Sequence, residues 1–252
     1  MTSTDRLRLV ETLLITAAAV WGVGTGLLIP RAAYRLALPP GEPWRTTCPA
    51  GHPLAGIGHG WLGRASCACG NGHGPSTPVT AAAAAAICAA LAAATGARPE
   101  LMVWLLLVPA GVLLAAVDVA VHRLPDVLTL PLAVATPVPL GGAALLPGAG
   151  GSWTHALLGA LALTACCVML FLTHPRGLGF GDVKLAPALG AVLGWYGWDI
   201  LIVGTFAGFL LSALYGIGLL LTRRAGRTTA VPFGPFSLAG ALLGVLLGTC
   251  IR

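Results

Sequence analysis

Long apolar runs dominate this sequence and constrain its fold more than any other feature. Charged residues make up 9% of the 252 residues, whereas a soluble domain carries roughly 25%. Each run is close to the ~20 residues that a helix needs to cross a bilayer. The pattern predicts an all-α, polytopic integral membrane protein with about eight transmembrane helices. The expected spans are 9–30, 79–96, 100–118, 127–146, 153–173, 182–198, 200–221 and 230–250.

The first apolar run has two readings. It resembles a secretory signal, because Arg6 and Arg8 precede it, but it is longer than the ~7–15 residues of a signal core. An uncleaved first span is therefore favoured. The predicted organisation is a first transmembrane span at 1–30, a polar loop at 31–78 and a membrane-embedded core at 79–252. Kinks or an interruption are expected in the fourth span, which contains Pro131, Pro137 and Pro139.

Basic residues indicate the orientation in the membrane. Eight spans put both termini on one side and the loops 31–78, 119–126, 174–184 and 222–228 on the other. The loop side should therefore be cytoplasmic, since positive residues concentrate there. The net charge of +6 follows mostly from these loops and does not call for a nucleic-acid partner. Ten basic residues lie on the loop side, namely Arg31, Arg35, Arg45, Arg64, Arg123, Arg176, Lys184, Arg223, Arg224 and Arg227, against four on the other, namely Arg6, Arg8, Arg98 and Arg252.

Two of the eight acidic residues stand at the ends of predicted spans. Asp118 ends the third span and Asp182 begins the sixth, and an ionisable group at the edge of a membrane helix suggests function. Two spans separate them, so both are expected at the same membrane face. Two carboxylates in a partly dehydrated site share one proton. Such a pair suits peptide hydrolysis, because one acid takes a proton from water while the other donates to the carbonyl oxygen.

Two non-proteolytic interpretations fit the same residues. Asp118 and Asp182 could pair with His122, Arg123 or Lys184 at the membrane edge, or they could serve a transporter or proton relay.

The stretch before Asp182 contains three glycines, Gly177, Gly179 and Gly181. Glycines adopt backbone angles closed to other residues and permit close approach of another strand. We therefore expect a loop against which extended substrate can pair.

At these residues the chain resembles the type IV prepilin peptidases, membrane aspartic proteases of the Gly-x-Gly-Asp kind. The resemblance lies in Gly-Leu-Gly-Phe-Gly-Asp-Val-Lys at 177–184, and in Asp118 followed by Leu-Pro-Asp-Val-Leu-Thr-Leu-Pro at 124–131. It implies that Asp118 and Asp182 are the catalytic pair and that Asp126 is not catalytic. Lys184 either steadies the Asp182 loop or contacts substrate. The segment 231–236 is also similar to the family, and either borders the substrate groove or simply begins a helix.

The resemblance implies a function and a location. Such enzymes remove the basic leader of prepilins or pseudopilins at the cytoplasmic face of the bacterial inner membrane, usually just after a glycine. The substrate's apolar helix stays in the lipid bilayer, and proteolysis needs no cofactor. The competing class is a membrane protein without catalysis, either a transporter or a pilin-binding chaperone.

The polar loop at 31–78 departs from the family pattern. Many family members carry two Cys-x-x-Cys pairs there that can hold zinc, and also methylate the new N-terminus with S-adenosylmethionine. Here the loop contains Cys48-Pro-Ala-Gly-His52 and Cys67-Ala-Cys69, and Pro30 replaces the usual asparagine. Methyltransferase activity is thus left open. A tetrahedral zinc site could be built from Cys48, His52, Cys67 and Cys69, with His59 or His73 as substitutes; the alternative is a metal-free loop with reduced thiols.

Overall fold

The computed structural model of this chain is built from α-helices. It describes residues 3–39, 41–64, 66–67, 69, 72–174, 177–222 and 231–251, and in these ranges β-pairing is limited to isolated bridges. The helices are α1 (Ser3–Leu36), α2 (Ile57–Gly60), α3 (Thr77–Thr95), α4 (Glu100–Val121), α5 (Asp126–Ala135), α6 (Pro137–Ala144), α7 (Trp153–Thr173), α8 (Phe180–Gly194), α9 (Trp198–Leu221) and α10 (Gly234–Ile251).

Seven helical segments of the described chain are long and apolar enough to cross a membrane. They correspond to seven of the expected spans, with α5 and α6 together forming one of them, and they confirm an all-α, multi-pass membrane protein. The expected sixth span is α8, which has 15 residues. Its length of about 22 Å is shorter than a hydrocarbon core of about 30 Å. The basic residues Arg176, Arg223, Arg224 and Arg227, used above for orientation, lie outside the described residues.

The chain divides into two compact units. One comprises Met1–Ala97 and Trp104–Val121, and the other comprises Arg98–Val103 and His122–Arg252. The first contains α1, α2, α3 and most of α4, and the second contains α5 through α10.

In the first unit, α1 continues beyond the proline at which it was expected to end. It runs to Leu36, with Pro30 inside it. Proline has no backbone N–H, so the carbonyl of Gly26 loses its helical donor. The hydroxyl of Thr80, from α3, donates to that carbonyl at 3.0 Å. The hydrogen-bonding loss at Pro30 is thereby compensated, and the helix is not interrupted.

The same compensation occurs in α4, where Pro109 lies inside the helix. The carbonyl that Pro109 leaves without a helical donor belongs to Leu105. The indole Nε1 of Trp21, in α1, donates to this oxygen at 2.9 Å. Neighbouring helices thus satisfy backbone groups freed by proline, as membrane helices require where no water is available.

In the second unit, the predicted interruption of the fourth span is confirmed. Helix α5 ends at Ala135 and α6 begins at Pro137, with the fully buried Thr136 between them. Helices α7 and α8 approach closely, since a Cβ added to Gly159 would lie 2.5 Å from the carbonyl oxygen of Gly190. Small residues of this kind let membrane helices pack backbone against backbone. The packing against α7 holds the short helix α8 in place.

Candidate functional site

Asp182 lies in the first turn of α8. Gly179 precedes this helix with φ −70° and ψ 143°, and its carbonyl accepts a 3.0 Å hydrogen bond from the Asp182 backbone N–H. The side chain of Asp182 is half-buried. A carboxylate in a first turn is stabilised by the positive end of the helix dipole. The fold therefore places a carboxyl group at the N-terminus of α8, as the sequence predicted.

The structure overturns one part of the expected reason for the neighbouring glycines. None of Gly177, Gly179 and Gly181 has φ in the left-handed region, and the expected close approach of a substrate strand stays a prediction. Close approach explains one of them instead. A Cβ on Gly181 would lie 3.0 Å from Cβ and 3.3 Å from the backbone nitrogen of Leu124, a buried residue just before α5. Gly181 thus allows the start of α8 to contact the α4–α5 connection.

A cleft opens beside Asp182 among α7, α8, α9 and the residues that begin α10. The rings of Phe209 and Phe233 lie against each other on one side of it, with centroids 4.8 Å apart. Phe233 lies in the segment 231–236, which both begins α10 and borders this cleft. Apart from Asp182, the other lining residues share no local sequence pattern, because they are spread over four helices. The lining residues are Leu163, Cys167, Asp182, Ala186, Leu189, Leu193, Thr205, Phe209, Phe233 and Ser237.

Lys184 forms an ion pair that the sequence did not predict. Its Nζ donates to Oδ1 of Asp126 at 2.7 Å, and it lies 4.6 Å from the centroid of the Phe180 ring. Asp126 stands in the first turn of α5, where its charge is favourable to the helix. The pair therefore joins the beginning of α8 to the beginning of α5. This supports the interpretation in which Lys184 steadies the segment around Asp182.

Asp118 lies near the end of α4 and is buried, with 5% of its surface exposed. It belongs to the first compact unit, whereas Asp182 belongs to the second. The pairing of the two carboxylates stays a prediction. After α4 ends at Val121, His122 takes a left-handed conformation with φ 51°.

The four residues expected to bind zinc come together in the polar loop of the first unit. Cys48 and His52 lie on a tight turn, where the Cys48 N–H donates to the His52 carbonyl at 2.9 Å and Thr47 pairs with Pro53. Cys67 and Cys69 follow Ser66, which pairs with Gly72 in a second bridge. Two short turns therefore present the thiols and the imidazole toward one point.

The spacing of these ligand atoms fits a tetrahedral zinc ion. All four lie within 4.8 Å of one another, and Cys48 Sγ is 3.9 Å from Cys69 Sγ and 3.6 Å from His52 Nδ1. Zinc–sulfur bonds of about 2.3 Å give tetrahedral edges of about 3.8 Å. The proposed substitutes lie elsewhere: His73 is buried against the Tyr34 ring, and the His59 carbonyl accepts from Arg35.

Glu100 is one of the eight acidic residues of the chain, and the sequence did not predict that its side chain would be buried. It is 0% exposed at the start of α4, and its Oε1 accepts a 3.0 Å hydrogen bond from the Gly150 N–H. A Cβ on Gly150 would also lie 2.7 Å from Nη1 of Arg98. Through its hydrogen bond to Gly150, Glu100 therefore stabilises the loop between α6 and α7 within the second unit.

Comparisons with known proteins agree with the motif analysis. Residues 104–221 match the model of the type IV leader peptidase family. A prepilin leader peptidase/N-methyltransferase of Aeromonas salmonicida strain A449 is 35% identical over 158 residues, which are 60% of this chain and 49% of the relative. One from Burkholderia pseudomallei strain K96243 is 32% identical over 210 residues, 81% of this chain and 57% of the relative.

A third relative gives a similar result. A prepilin leader peptidase/N-methyltransferase of Bacillus subtilis strain 168 is 37% identical over 115 residues, which are 45% of each chain. This chain spans about half the length of the curated relatives it matches. No solved structure matches it.

Proposed function

We propose that this chain, whose residues 104–221 match the model of the type IV leader peptidase family, is a membrane aspartic endopeptidase that removes the basic leader from prepilins or pseudopilins. The observation that carries the proposal is Asp182, a carboxylate in the first turn of α8 beside a mainly apolar cleft. A peptide whose apolar helix stays in the bilayer needs such a site at the edge of the membrane.

In the proposed mechanism, Asp118 and Asp182 act as one pair. Between them the chain has two candidate spans, Asp126–Ala144 and Trp153–Thr173, so connectivity leads us to expect both carboxylates at one membrane face. The ionised carboxylate takes a proton from a water held between the two, and that water attacks the scissile carbonyl carbon. The protonated carboxyl donates to the carbonyl oxygen. The proton taken from water then passes to the leaving nitrogen as the C–N bond breaks, and the proton on the former carbonyl oxygen returns to the other carboxylate. No covalent bond to the enzyme forms.

The proposed location is the bacterial inner membrane, with the site at its cytoplasmic face. The support is the excess of arginine and lysine on the loop side, which is ten residues against four when α8 is counted as an eighth span. Leader residues that are basic stay on the cytoplasmic side by the same rule. The enzyme and the orientation of its substrate are therefore consistent with each other.

The cysteine–histidine cluster supports a structural zinc ion in the polar loop. Cys48, His52, Cys67 and Cys69 would hold it, and the ion would join the two short turns that carry them. Proteolysis is proposed to need neither this ion nor another cofactor. Methyl transfer from S-adenosylmethionine is a separate question, which the experiment below answers in the same spectrum.

The experiment is mass spectrometry of a prepilin co-expressed with this chain in a host without its own leader peptidase. Loss of the leader mass, with the new N-terminus starting just after a glycine, is the expected result. A further 14 Da would report N-methylation. Wild-type protein that binds the prepilin and leaves it uncleaved would instead support a pilin-binding chaperone, and a protein that neither binds nor cleaves would support a transporter. The Asp182→Asn variant is the negative control, and Asp199→Asn, an exposed acid in the first turn of α9, is the matched positive one.

A further inference from the structure

We propose that the end of α1 and the loop segment packed against it form a binding site for the headgroup phosphate of an anionic phospholipid. The site is separate from the proposed proteolysis and belongs wholly to the first compact unit. Its cations are Arg31 and Arg35. Its apolar rim, the part expected to contact lipid, consists of Trp44, Ile57, Trp61 and Leu62.

The two arginines converge on one segment of the polar loop. They are four residues apart in α1, so their side chains lie one turn apart on the same side of the helix. Nη1 of Arg31 donates to the Ala55 carbonyl at 2.6 Å, and Nη1 of Arg35 donates to the His59 carbonyl at 3.0 Å. Two positive charges are therefore held beside the same short stretch of backbone.

The described part of the chain supplies no carboxylate to these two arginines, since its one ion pair joins Lys184 to Asp126. Arg35 is buried, with 7% of its surface exposed, and the Nε atoms of both guanidinium groups are buried without a hydrogen-bond partner. The negative end of the α1 dipole offsets only about half a charge. Because a buried charge is costly unless it is paired, the two cations call for an anion from outside the chain. Arg31 is only half-buried, so a ligand can reach the pair.

The depth of the arginines in the membrane indicates which anion this is. Helix α1 contains a candidate span of 32 residues, Asp5–Leu36. Its length of about 48 Å exceeds the hydrocarbon core of about 30 Å, so its ends lie among the lipid headgroups. Arg31 directly follows the apolar run 9–30, and Arg35 lies about 6 Å further along the helix. Both therefore stand at the level of the phospholipid phosphates.

The loop segment reaches the same depth. The Gly63 N–H donates to the Leu28 carbonyl at 3.2 Å, and the Arg31 N–H donates to the Gly63 carbonyl at 3.2 Å. The segment thus lies beside the end of the apolar run. It exposes two large apolar side chains there, Ile57 at 67% and Leu62 at 38%. At this level such side chains contact lipid, which explains why a loop rich in polar residues leaves them uncovered.

Two tryptophans connect the rim to the cations. Trp44 is 53% exposed, and its ring lies edge-on to that of Trp61 with centroids 5.0 Å apart. The Arg35 guanidinium lies 4.2 Å from the centroid of the Trp61 ring. Tryptophan is enriched at membrane interfaces. A phospholipid would use both parts of this surface, with its phosphate on the arginines and its acyl chains against the rim, whereas a soluble phosphate would leave the rim unused.

The experiment is native mass spectrometry of the delipidated, detergent-purified protein, titrated with phosphatidylglycerol or phosphatidylcholine. The wild type should bind its first phosphatidylglycerol at least about tenfold more tightly than phosphatidylcholine, since each nearby arginine contributes about fivefold. Arg31→Gln should weaken phosphatidylglycerol binding about fivefold and leave phosphatidylcholine binding unchanged. The matched control is Arg64→Gln, which removes an exposed arginine of the same loop and should change neither affinity.

A second variant tests the rim and does not alter a buried residue. Ile57→Ser should weaken phosphatidylglycerol binding several-fold with an unchanged unfolding temperature, and it decides the matter if Arg31→Gln does not fold. Inorganic phosphate in large excess should not displace the lipid. Displacement by phosphate would identify a site for soluble anions and overturn the lipid assignment. Equal affinity for the two lipids, or wild-type affinity in both Arg31→Gln and Ile57→Ser, would overturn the site itself.

Discussion

Lys184 of α8 donates a 2.7 Å hydrogen bond to Asp126 of α5, residues 58 positions apart in sequence. This ion pair lies two residues from Asp182 along the chain, so it bears on how the proposed catalytic segment is held. The carboxylate of Asp126 is half exposed, at 52%, and the lysine is 21% exposed. Partial exposure means that water and salt weaken the pair.

We expect replacement of either partner of this pair to have a modest effect. A double-mutant cycle of Lys184→Ala and Asp126→Ala should give a coupling energy of about 0.5–1 kcal/mol, measured by thermal unfolding in detergent at low salt. Leader cleavage should fall several-fold in each single variant because the start of α8 is less firmly held. The exchanged pair, Lys184→Asp with Asp126→Lys, should recover part of the loss. Zero coupling, with activity lost in Lys184→Ala alone, would indicate that Lys184 contacts substrate instead.

Replacing Gly181 should be harmful, and replacing Gly177 should not. A Cβ on Gly181 meets Leu124 at 3.0 Å, whereas a Cβ on Gly177 meets its nearest atom at 3.5 Å, an ordinary contact. Gly181→Val should therefore destabilise the protein by about 1–3 kcal/mol, the usual cost of overpacking. Gly177→Ala should stay within about 0.5 kcal/mol of wild type. Unfolding curves of both variants provide the measurement, and equal effects would contradict the contact with Leu124.

The purified protein should contain about one zinc ion per chain, because four ligand atoms converge as tetrahedral zinc requires. Elemental analysis after detergent purification measures the content. Cys48→Ser and Cys69→Ser should each lose the ion, whereas Cys250→Ser, which changes an exposed cysteine in α10, should retain it. A wild-type protein purified without chelators and free of zinc would show that the loop is ordered by its turns alone.

Glu100 should matter for stability rather than for cleavage chemistry. Glu100→Ala leaves the part-buried Gly150 N–H without its acceptor, at a cost of about 1–3 kcal/mol. Glu100→Gln keeps an acceptor oxygen and should recover most of that loss. Unfolding temperature and kcat are measured together in both variants. A collapse of kcat with unchanged unfolding would assign Glu100 a role that its burial does not suggest.

Hydropathy and the rarity of acids were enough to predict most of the membrane helices and the placement of Asp182 at a helix start. The rest depended on partners from elsewhere in the chain. Pro30 does not end α1, since Thr80 from α3 supplies the missing donor to Gly26. The sequence did not decide between the two predicted roles of Lys184, because an ion pair with Asp126 depends on how α5 and α8 pack.

The glycines before Asp182 illustrate a different limit. The expected left-handed backbone is absent at all three, and a side chain at Gly181 is excluded by contact with Leu124. A glycine motif indicates that a side chain is excluded at a position, but it does not identify the neighbouring atoms that exclude it. Apart from Asp182 and the segment 231–236, no local sequence pattern indicated the cleft, because its walls come from separate helices.

The central claim is that Asp118 and Asp182 work as one unit, and the most direct measurement is leader cleavage by Asp118→Asn, Asp182→Asn and the double variant in proteoliposomes. Residues that act together are not additive. We therefore predict that each single variant loses at least about 1,000-fold in kcat/KM, that the double variant is no worse, and that Asp199→Asn is near wild type. Substantial cleavage by either single variant, with the protein folded in the membrane, would contradict the pairing.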